Sequence, residues 1–226
     1  MISIFADKSS LVIRKMLQFP ARTWVIQDFT RLRDTHYPVS QGRAQLILNE
    51  MEERGYIERE KKGAHSNAML ANLDMLLEDW VTAYNYRYNK IFYYYSADKN
   101  ILSRMKNYFK EKALTYALTL HTGANFISSY IATDAIQFYL GSKDIKQDIV
   151  RLCQHLELKQ LVNGGNIHII KPYYKHSVFF NLQKIKGYCI VSNAQLYIDL
   201  YHYHPRGREH ALCLRDIVKK EGKHLD

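Results

Sequence analysis

The chain has 226 residues, a formal net charge of +10 and a hydrophobic fraction of 47%. This composition excludes a globally disordered chain, and no apolar run approaches the roughly 18 to 20 residues that cross a bilayer. The segment MISIFADKSS lacks the basic and long apolar regions of a signal peptide, so we expect a cytoplasmic protein with no membrane partner.

The charge excess favours a polyanionic partner, because Lys and Arg side chains that neutralise phosphates release counterions. Residues 1–66 hold 11 basic and 8 acidic residues, a difference of +3, and residues 67–226 hold 21 and 14, a difference of +7. Bulk charge therefore does not identify one binding domain. Three widely spaced cysteines predict neither a disulfide framework nor a metal site.

Two short helices are predicted near the start of the chain. The first begins at Ser9 or Ser10 and ends before Pro20. The second follows Thr23 and ends near His36, with an apolar face at the spacing i, i+4, i+7 formed by Val25, Phe29 and Leu32.

A third helix is predicted to begin after Ser40, which is a favourable N-cap residue. Its core face has the spacing i, i+3, i+4, i+7 and consists of Ala44, Ile47, Leu48 and Met51. Another face is polar and carries Ser40, Gln41, Arg43, Gln45 and Asn49. Gly55 is predicted to end the helix, because glycine takes positive φ readily.

The segment after Gly55 predicts a strand from Tyr56 to Glu60 and a Lys-Lys-Gly turn. Three short helices followed by such a hairpin indicate a winged helix-turn-helix over residues 1–68. The polar helix end would then contact base edges in the major groove, and the hairpin would contact phosphates through Arg59, Lys61 and Lys62. A winged helix that binds protein is the alternative, and the five glutamates between residues 50 and 60 oppose DNA wherever they face it.

Residues 69–226 are predicted to form a mixed α/β domain, so the whole chain is expected to be an α+β protein. Helical spacing covers residues 73–88, 101–112 and 144–156, and two closing helices flank a turn from Pro205 to Gly207. Strands are predicted at IFYYYS and GYCIVS.

Two glycine-containing segments of this domain predict specific turns. LVNGGNIHII predicts a hairpin with an Asn-Gly-Gly-Asn turn. YALTLHTGANFISSYI predicts a strand, a turn at Gly123 and a helix that runs to about Ile131.

Only weak signals for catalysis occur in this domain. Glu157 and Lys159 have the spacing of a metal-dependent nuclease pair, but they fall at the end of a predicted helix. Asp199, His202 and His204 supply three metal-ligand types, although helical geometry points them to different faces. We therefore predict no catalytic residues, no metal and no cofactor.

The C-terminal stretch VSNAQLYIDLYHYHPRGREHA resembles the AbiEi antitoxin family of type IV toxin-antitoxin systems, which are abortive-infection systems. That family ends in a Val-Ser-x-x-Gln-x-Tyr-x-Asp-Leu helix and an Arg-Gly-x-Glu turn. The matching residues after Val191 are Ser192, Gln195, Tyr197, Asp199, Leu200, Arg206, Gly207 and Glu209. LEDWVTAYNYRYNK and ALTLHTGANF also resemble family elements, in the family's order.

The resemblance implies a DNA-binding repressor of its own operon that opposes a nucleotidyltransferase-type toxin, without implying a stable complex between them. The motif residues would serve either the antitoxin surface or the packing of the last helices. The alternative function is a nucleic-acid-processing enzyme, a nuclease or nucleotidyltransferase, targeted by the winged helix.

Overall fold

The computed structural model describes residues 3–30, 39–62 and 65–222, without the side chains of residues 61, 62 and 65. The helices in these ranges are α1 (Ser10–Gln18), α2 (Ile26–Thr30), α3 (Gln41–Glu53), α4 (Leu73–Ala83), α5 (Ile101–Glu111), α6 (Leu120–Ala124), α7 (Ile145–Leu156), α8 (Asn193–Tyr201) and α9 (Gly207–Lys220). None of them combines the length and hydrophobicity that a bilayer span requires.

The strands in the same ranges form two sheets. Those of the first sheet are β1 (Trp24–Val25), β2 (Ile57–Lys62) and β3 (His65–Leu70), in the order β1-β3-β2. Those of the second are β4 (Lys90–Tyr95), β5 (Thr115–Leu118), β6 (Ile136–Gly141), β7 (Lys159–Leu161), β8 (Ile167–Lys171), β9 (Gln183–Ile185) and β10 (Tyr188–Ile190), in the order β7-β4-β8-β6-β5-β10-β9. The protein is therefore mixed α and β.

Helix α3 forms as its sequence predicts. The Ser40 hydroxyl accepts a hydrogen bond from the Arg43 backbone N–H at 3.3 Å, which satisfies a free donor of the first turn. The predicted apolar face is buried and consists of Ala44, Ile47, Leu48 and Met51. Gly55 follows the helix with φ of +74°, and strand β2 begins two residues later.

The segment that precedes α3 differs from its prediction. Val25 lies in the two-residue strand β1, where it pairs with Asn67 of β3, and not on a helix face. Helix α2 begins one residue later and buries Phe29 in the core. Leu32, His36 and the rest of residues 31–38 lie outside the described residues.

Strands β2 and β3 form an antiparallel hairpin whose register runs from Ile57 opposite Leu70 to Lys62 opposite His65. The turn at residues 63 and 64 lies outside the described residues. The expected strand after Gly55 is confirmed, and β3 completes the hairpin.

The seven-stranded sheet is the framework of the rest of the chain. Strand β6 lies near its centre, pairs parallel with β8 and antiparallel with β5, and is buried along nearly its whole length. Strand β6 is apolar apart from Gln137 and is buried on both faces, which is typical of a strand covered on both sides. Its sequence was not predicted to form a strand.

Helices cover both faces of this sheet. Side chains of successive strand residues point to opposite faces of a sheet, so Phe138 and Tyr139 of β6 lie on different faces of this one. The ring of Phe109 in α5 lies 5.4 Å from the ring of Phe138, whereas the Tyr139 hydroxyl donates to Asp199 of α8 at 2.9 Å. Helices α5 and α8 therefore pack on opposite faces.

The predicted hairpin at LVNGGNIHII is wrong. Strands β7 and β8 both form, but each pairs antiparallel with β4, which lies between them. The glycine turn instead carries the chain across the end of β4, where the Asn166 side chain accepts from the Ser96 N–H and donates to the Ser96 carbonyl. A Cβ on Gly165 would lie 2.2 Å from the carbonyl oxygen of Tyr94, so this crossing requires glycine.

The predicted turn at Gly123 and helix to Ile131 are also wrong. Gly123 lies inside the short helix α6, which ends at Ala124. The Asn125 side chain then donates to the Ile131 carbonyl at 2.7 Å, which holds the following segment in a non-helical loop. A Cβ on Gly123 would lie 2.8 Å from the Leu118 carbonyl oxygen, so the glycine allows α6 to approach the end of β5.

Helix α1 is packed against the C-terminal part of the chain. Its Ser10 hydroxyl donates to the Ser177 hydroxyl at 3.0 Å, and Asp7 accepts from the Ser177 N–H at 2.8 Å. The boundary expected between residues 68 and 69 falls inside β3, and one continuous core of buried side chains extends across it.

The close approach at Gly123 gives a stability prediction. Gly123→Ala is expected to lower the free energy of unfolding by about 1 to 3 kcal/mol, because backbone or the Leu196 side chain must shift. Gly42→Ala is the matched control, since an added Cβ there has nothing within 4 Å. Urea unfolding of both variants measures the difference, and equal stabilities would contradict the packing described.

Candidate functional site

The first turn of α3 is an exposed polar surface. Ser40, Gln41 and Gly42 are exposed, whereas Ala44, one turn after Ser40, is fully buried. The free backbone N–H groups of a helix start carry partial positive charge, so an anion is stabilised here. This is the surface that the sequence predicts to contact base edges.

Arg43 lies beside this surface but is partly covered. Its Nη2 donates to the Ser9 hydroxyl at 2.8 Å, which joins α3 to the start of α1. Because the donor is charged, this hydrogen bond contributes about 1.5 to 3 kcal/mol net. A phosphate or the acceptor edge of a base can offer the guanidinium comparable stabilisation.

Arg59 does not project from the hairpin as the sequence analysis expected. Its side chain is 5% exposed and lies between β2 and α3, where it donates to Asn49 at 2.6 Å and pairs with Glu52 at 3.3 Å. It also donates to Ser66 of β3 at 3.1 Å, and the Gln45 amide lies within hydrogen-bond distance of both Asn49 and Arg59. We call these five residues the helix–hairpin bridge.

The β2–β3 hairpin carries acidic as well as basic residues. Lys61 and Lys62 belong to β2, and their side chains lie outside the described part of the chain. Glu58 and Glu60 are exposed on the same strand. The hairpin therefore carries both signs of charge.

The family motif of α8 contains a fully buried carboxylate, that of Asp199. Asp199 accepts hydrogen bonds from the hydroxyls of Thr119 at 2.6 Å and Tyr84 at 2.8 Å, and from Tyr139 at 2.9 and 3.0 Å. The Gln195 amide donates to it at 2.8 Å. Burial raises the pKa of Asp199 to about 6, although these donors favour its ionised form.

A buried arginine completes this network. Arg14 of α1 donates to the Gln195 carbonyl oxygen at 2.5 Å, and its guanidinium lies 5.0 Å from the centre of the Trp80 ring. Gln195 thus links the guanidinium to the carboxylate, which reduces the cost of burying both charges. We call Arg14, Gln195 and Asp199 the buried relay.

The other buried family-motif residues cap or pack the last two helices. Ser192 caps α8 by accepting from the Gln195 N–H, and Tyr197 is buried beside Tyr201. A Cβ on Gly207 would lie 2.2 Å from the Leu200 carbonyl oxygen, so α8 and α9 meet closely there.

Arg206 and Glu209 are the exposed members of the motif, with side chains 54% and 55% exposed. They form an ion pair of 2.9 Å at the start of α9. They are accessible to a partner, whereas the buried members are not.

The weak catalytic candidates do not assemble into a site. Glu157 and Lys159 are exposed where α7 ends and β7 begins. Asp199 is buried, His202 lies 2.6 Å from the Val81 carbonyl oxygen, and His204 is exposed in the following turn. Among the described residues, no three His, Cys, Asp or Glu side chains are grouped to hold a metal ion.

Most partners of Asp199 were not predicted from the sequence. Arg14 gives one signal, since it and Lys15 are the only polar residues in the segment LVIRKML of a predicted core helix. Nothing in the sequence distinguishes Tyr84 and Tyr139 from the chain's other tyrosines, because their role depends on distant strands. A second buried pair, His121 and His210 with Nδ1 atoms 2.9 Å apart, was missed for the same reason.

The raised pKa of Asp199 predicts a pH-dependent stability. Its folded value of about 6 exceeds the ordinary value of 3.8, so its stabilising contribution is present below pH 4 and is lost as pH rises through 6. The unfolding free energy of wild type minus that of Asp199→Asn should therefore fall by about 2 to 3 kcal/mol from pH 4 to pH 7. Denaturant unfolding across this range measures it.

His210→Gln is the control of opposite sign. Burial lowers the pKa of His210 to about 4, so its stabilising contribution is lost as pH falls below 6.5. The unfolding free energy of wild type minus that of His210→Gln should rise with pH over the same range. If both differences in unfolding free energy, for Asp199→Asn and for His210→Gln, change with pH in the same direction, these assignments are contradicted.

Comparison with known proteins concerns mainly the C-terminal part of the chain. Residues 69–219, more than half of the sequence, match the family model described as "Transcriptional regulator, AbiEi antitoxin, Type IV TA system". Searches of curated proteins and of solved structures give no match. The chain therefore belongs to the AbiEi family of antitoxins and transcriptional regulators of type IV toxin-antitoxin systems.

Proposed function

We propose that this protein is a DNA-binding repressor of its own operon and the antitoxin of a nucleotidyltransferase-type toxin. In this proposal, residues 1–68 are a winged helix-turn-helix that binds operator DNA, and residues 69–226 serve neutralisation or contacts between copies. The exposed polar start of α3, beside the β2–β3 hairpin, is the observation that carries the DNA-binding proposal. Membership of a regulator family supports it.

The α3 surface would enter the major groove with its first turn. Ser40, Gln41 and Arg43 would reach base edges, with Gln45 and Asn49 farther along the helix. Arg43 would exchange its bond to Ser9 for one to DNA. Lys61 and Lys62 would contact phosphates from the hairpin.

Arg59 would act as a positioning residue. Its guanidinium already bonds to Asn49, Glu52 and Ser66, so in this arrangement it fixes the angle between hairpin and helix. If this angle is rigid, α3 and the hairpin would bind neighbouring grooves of the DNA without losing further conformational entropy on binding.

DNA binding is tested with labelled duplex from upstream of the gene. Arg43→Ala with Gln41→Ala should weaken binding to the operator by about tenfold to a hundredfold and binding to random duplex much less, because base contacts carry specificity. Lys61→Ala with Lys62→Ala should weaken both and reduce the salt slope by about 1.8, for two lost phosphate contacts.

The matched control is Lys146→Ala with Lys175→Ala, which removes the same charge from exposed positions of the C-terminal part. Thermal melts confirm that each variant is folded. Operator affinity that is equal in the control and in both N-terminal pairs would contradict the placement of the interface.

Antitoxin action is tested by co-expression with the neighbouring toxin gene and with a reporter under the native promoter. The Arg43→Ala, Gln41→Ala variant should lose repression and keep protection of growth, since the proposal places neutralisation in residues 69–226. Nucleotide transfer to RNA by the purified toxin checks the toxin's type. Loss of both activities together in a folded variant would contradict the division of roles.

A further inference from the structure

A cleft with a strongly basic rim lies at the end of the seven-stranded sheet, between α5 and the β9–β10 hairpin. Its volume is about 730 Å³. The apolar side chains that line it include Phe109, Leu114 and Leu182, and the basic ones are Lys106, Lys110 and Lys184. The family motif and the α3 surface do not contribute to it.

The positive charge of this lysine cleft has no acidic counterpart in its lining. No Asp or Glu is among the lining residues, and within the described residues none of the three lysines belongs to an ion pair. The neighbouring Glu111 pairs with Lys112 at 2.7 Å, outside the cleft. Three uncompensated ammonium groups around one concavity favour an anionic ligand.

The aromatic rings that line the cleft, Phe109 and Tyr116, and the neighbouring ring of Tyr188 are largely covered by other side chains. Phe109 and Tyr116 are 2% and 7% exposed and stack on each other at 4.3 Å. The Lys106 ammonium covers the Tyr188 ring at 4.6 Å, and Phe126 contacts the same ring. Single-stranded nucleic acid gains much of its affinity from exposed rings, so these surroundings favour a ligand of another class.

An acidic protein segment satisfies both parts of the lining. Aliphatic side chains match the floor at Leu114 and Leu182, and carboxylates match the lysine rim. Strand β9 is the terminal strand of the sheet, and within the described residues only β10 pairs with it. Its outer edge offers backbone groups to an extended chain, which is a common mode of peptide binding.

We propose that the lysine cleft binds an extended protein segment that carries both carboxylate and aliphatic side chains.

The test uses the full chain and a short fluorescein-labelled peptide in which glutamate and leucine alternate, followed by fluorescence anisotropy. Lys110→Glu with Lys184→Glu should weaken binding at least about tenfold, because two attractions become repulsions. Both lysines are exposed, so the variant is expected to fold, and a thermal melt checks this. Lys146→Glu with Lys175→Glu makes the same charge change elsewhere and should change binding less than about twofold.

Three further probes separate this proposal from its alternatives. A peptide of alternating glutamate and serine should bind at least about tenfold more weakly than the leucine peptide, because the floor is apolar. Single-stranded oligothymidylate should bind the cleft variant, Lys110→Glu with Lys184→Glu, as tightly as it binds the control variant, Lys146→Glu with Lys175→Glu. Operator duplex should bind the cleft and control variants equally, which keeps this test independent of repressor function.

The proposal is overturned if cleft and control variants weaken peptide binding equally, if the serine peptide binds as tightly as the leucine peptide, or if the wild-type chain binds neither. It is also overturned if the cleft variant loses oligothymidylate or operator binding relative to the control. Either of those results would assign the cleft to nucleic acid.

Discussion

The arrangement of the whole chain depends on the buried relay from Arg14 through Gln195 to Asp199. A guanidinium and a carboxylate without access to water are costly to bury unless each is satisfied. Here Gln195 accepts from one and donates to the other, and three hydroxyls complete the coordination of Asp199. These hydrogen bonds fix α1, α8, β6 and the residues that directly follow α4 and β5 relative to one another. A displacement of α1 would leave an unpaired charge in the core.

The buried relay also connects the N-terminal part of the chain to the C-terminal core. Helix α1 holds Arg14 in the C-terminal core, and Ser9, just before it, accepts from Arg43 of α3. The proposed DNA-binding surface is therefore connected to the family-motif helix through one short helix and two side-chain contacts. The N-terminal unit is packed against the rest of the chain, so it differs from a domain on a flexible tether.

Sequence reasoning succeeded where a structure depends on neighbouring residues. The Ser40 cap, the apolar face from Ala44 to Met51 and the Gly55 termination are all local signals, and each is present. It failed where distant segments decide the outcome. The Asn-Gly-Gly-Asn turn does join two strands, but β4 occupies the place between them, and β4 is more than sixty residues earlier in the chain. The surroundings of Arg59 and Asp199 likewise depend on several elements at once.

The strand order has a consequence for how this chain is made. Strand β6 can pair on one side with β5, which is synthesised before it, but its other neighbour, β8, is synthesised after it. Until residue 171 has left the ribosome, the buried strand β6 has an unprotected edge, and such edges recruit other chains. Pairing between strands that are far apart in the sequence is also slow. A nascent chain therefore passes through a stage in which one edge of β6 is open to pairing with other chains, and the length of that stage depends on the rate at which the second half is translated.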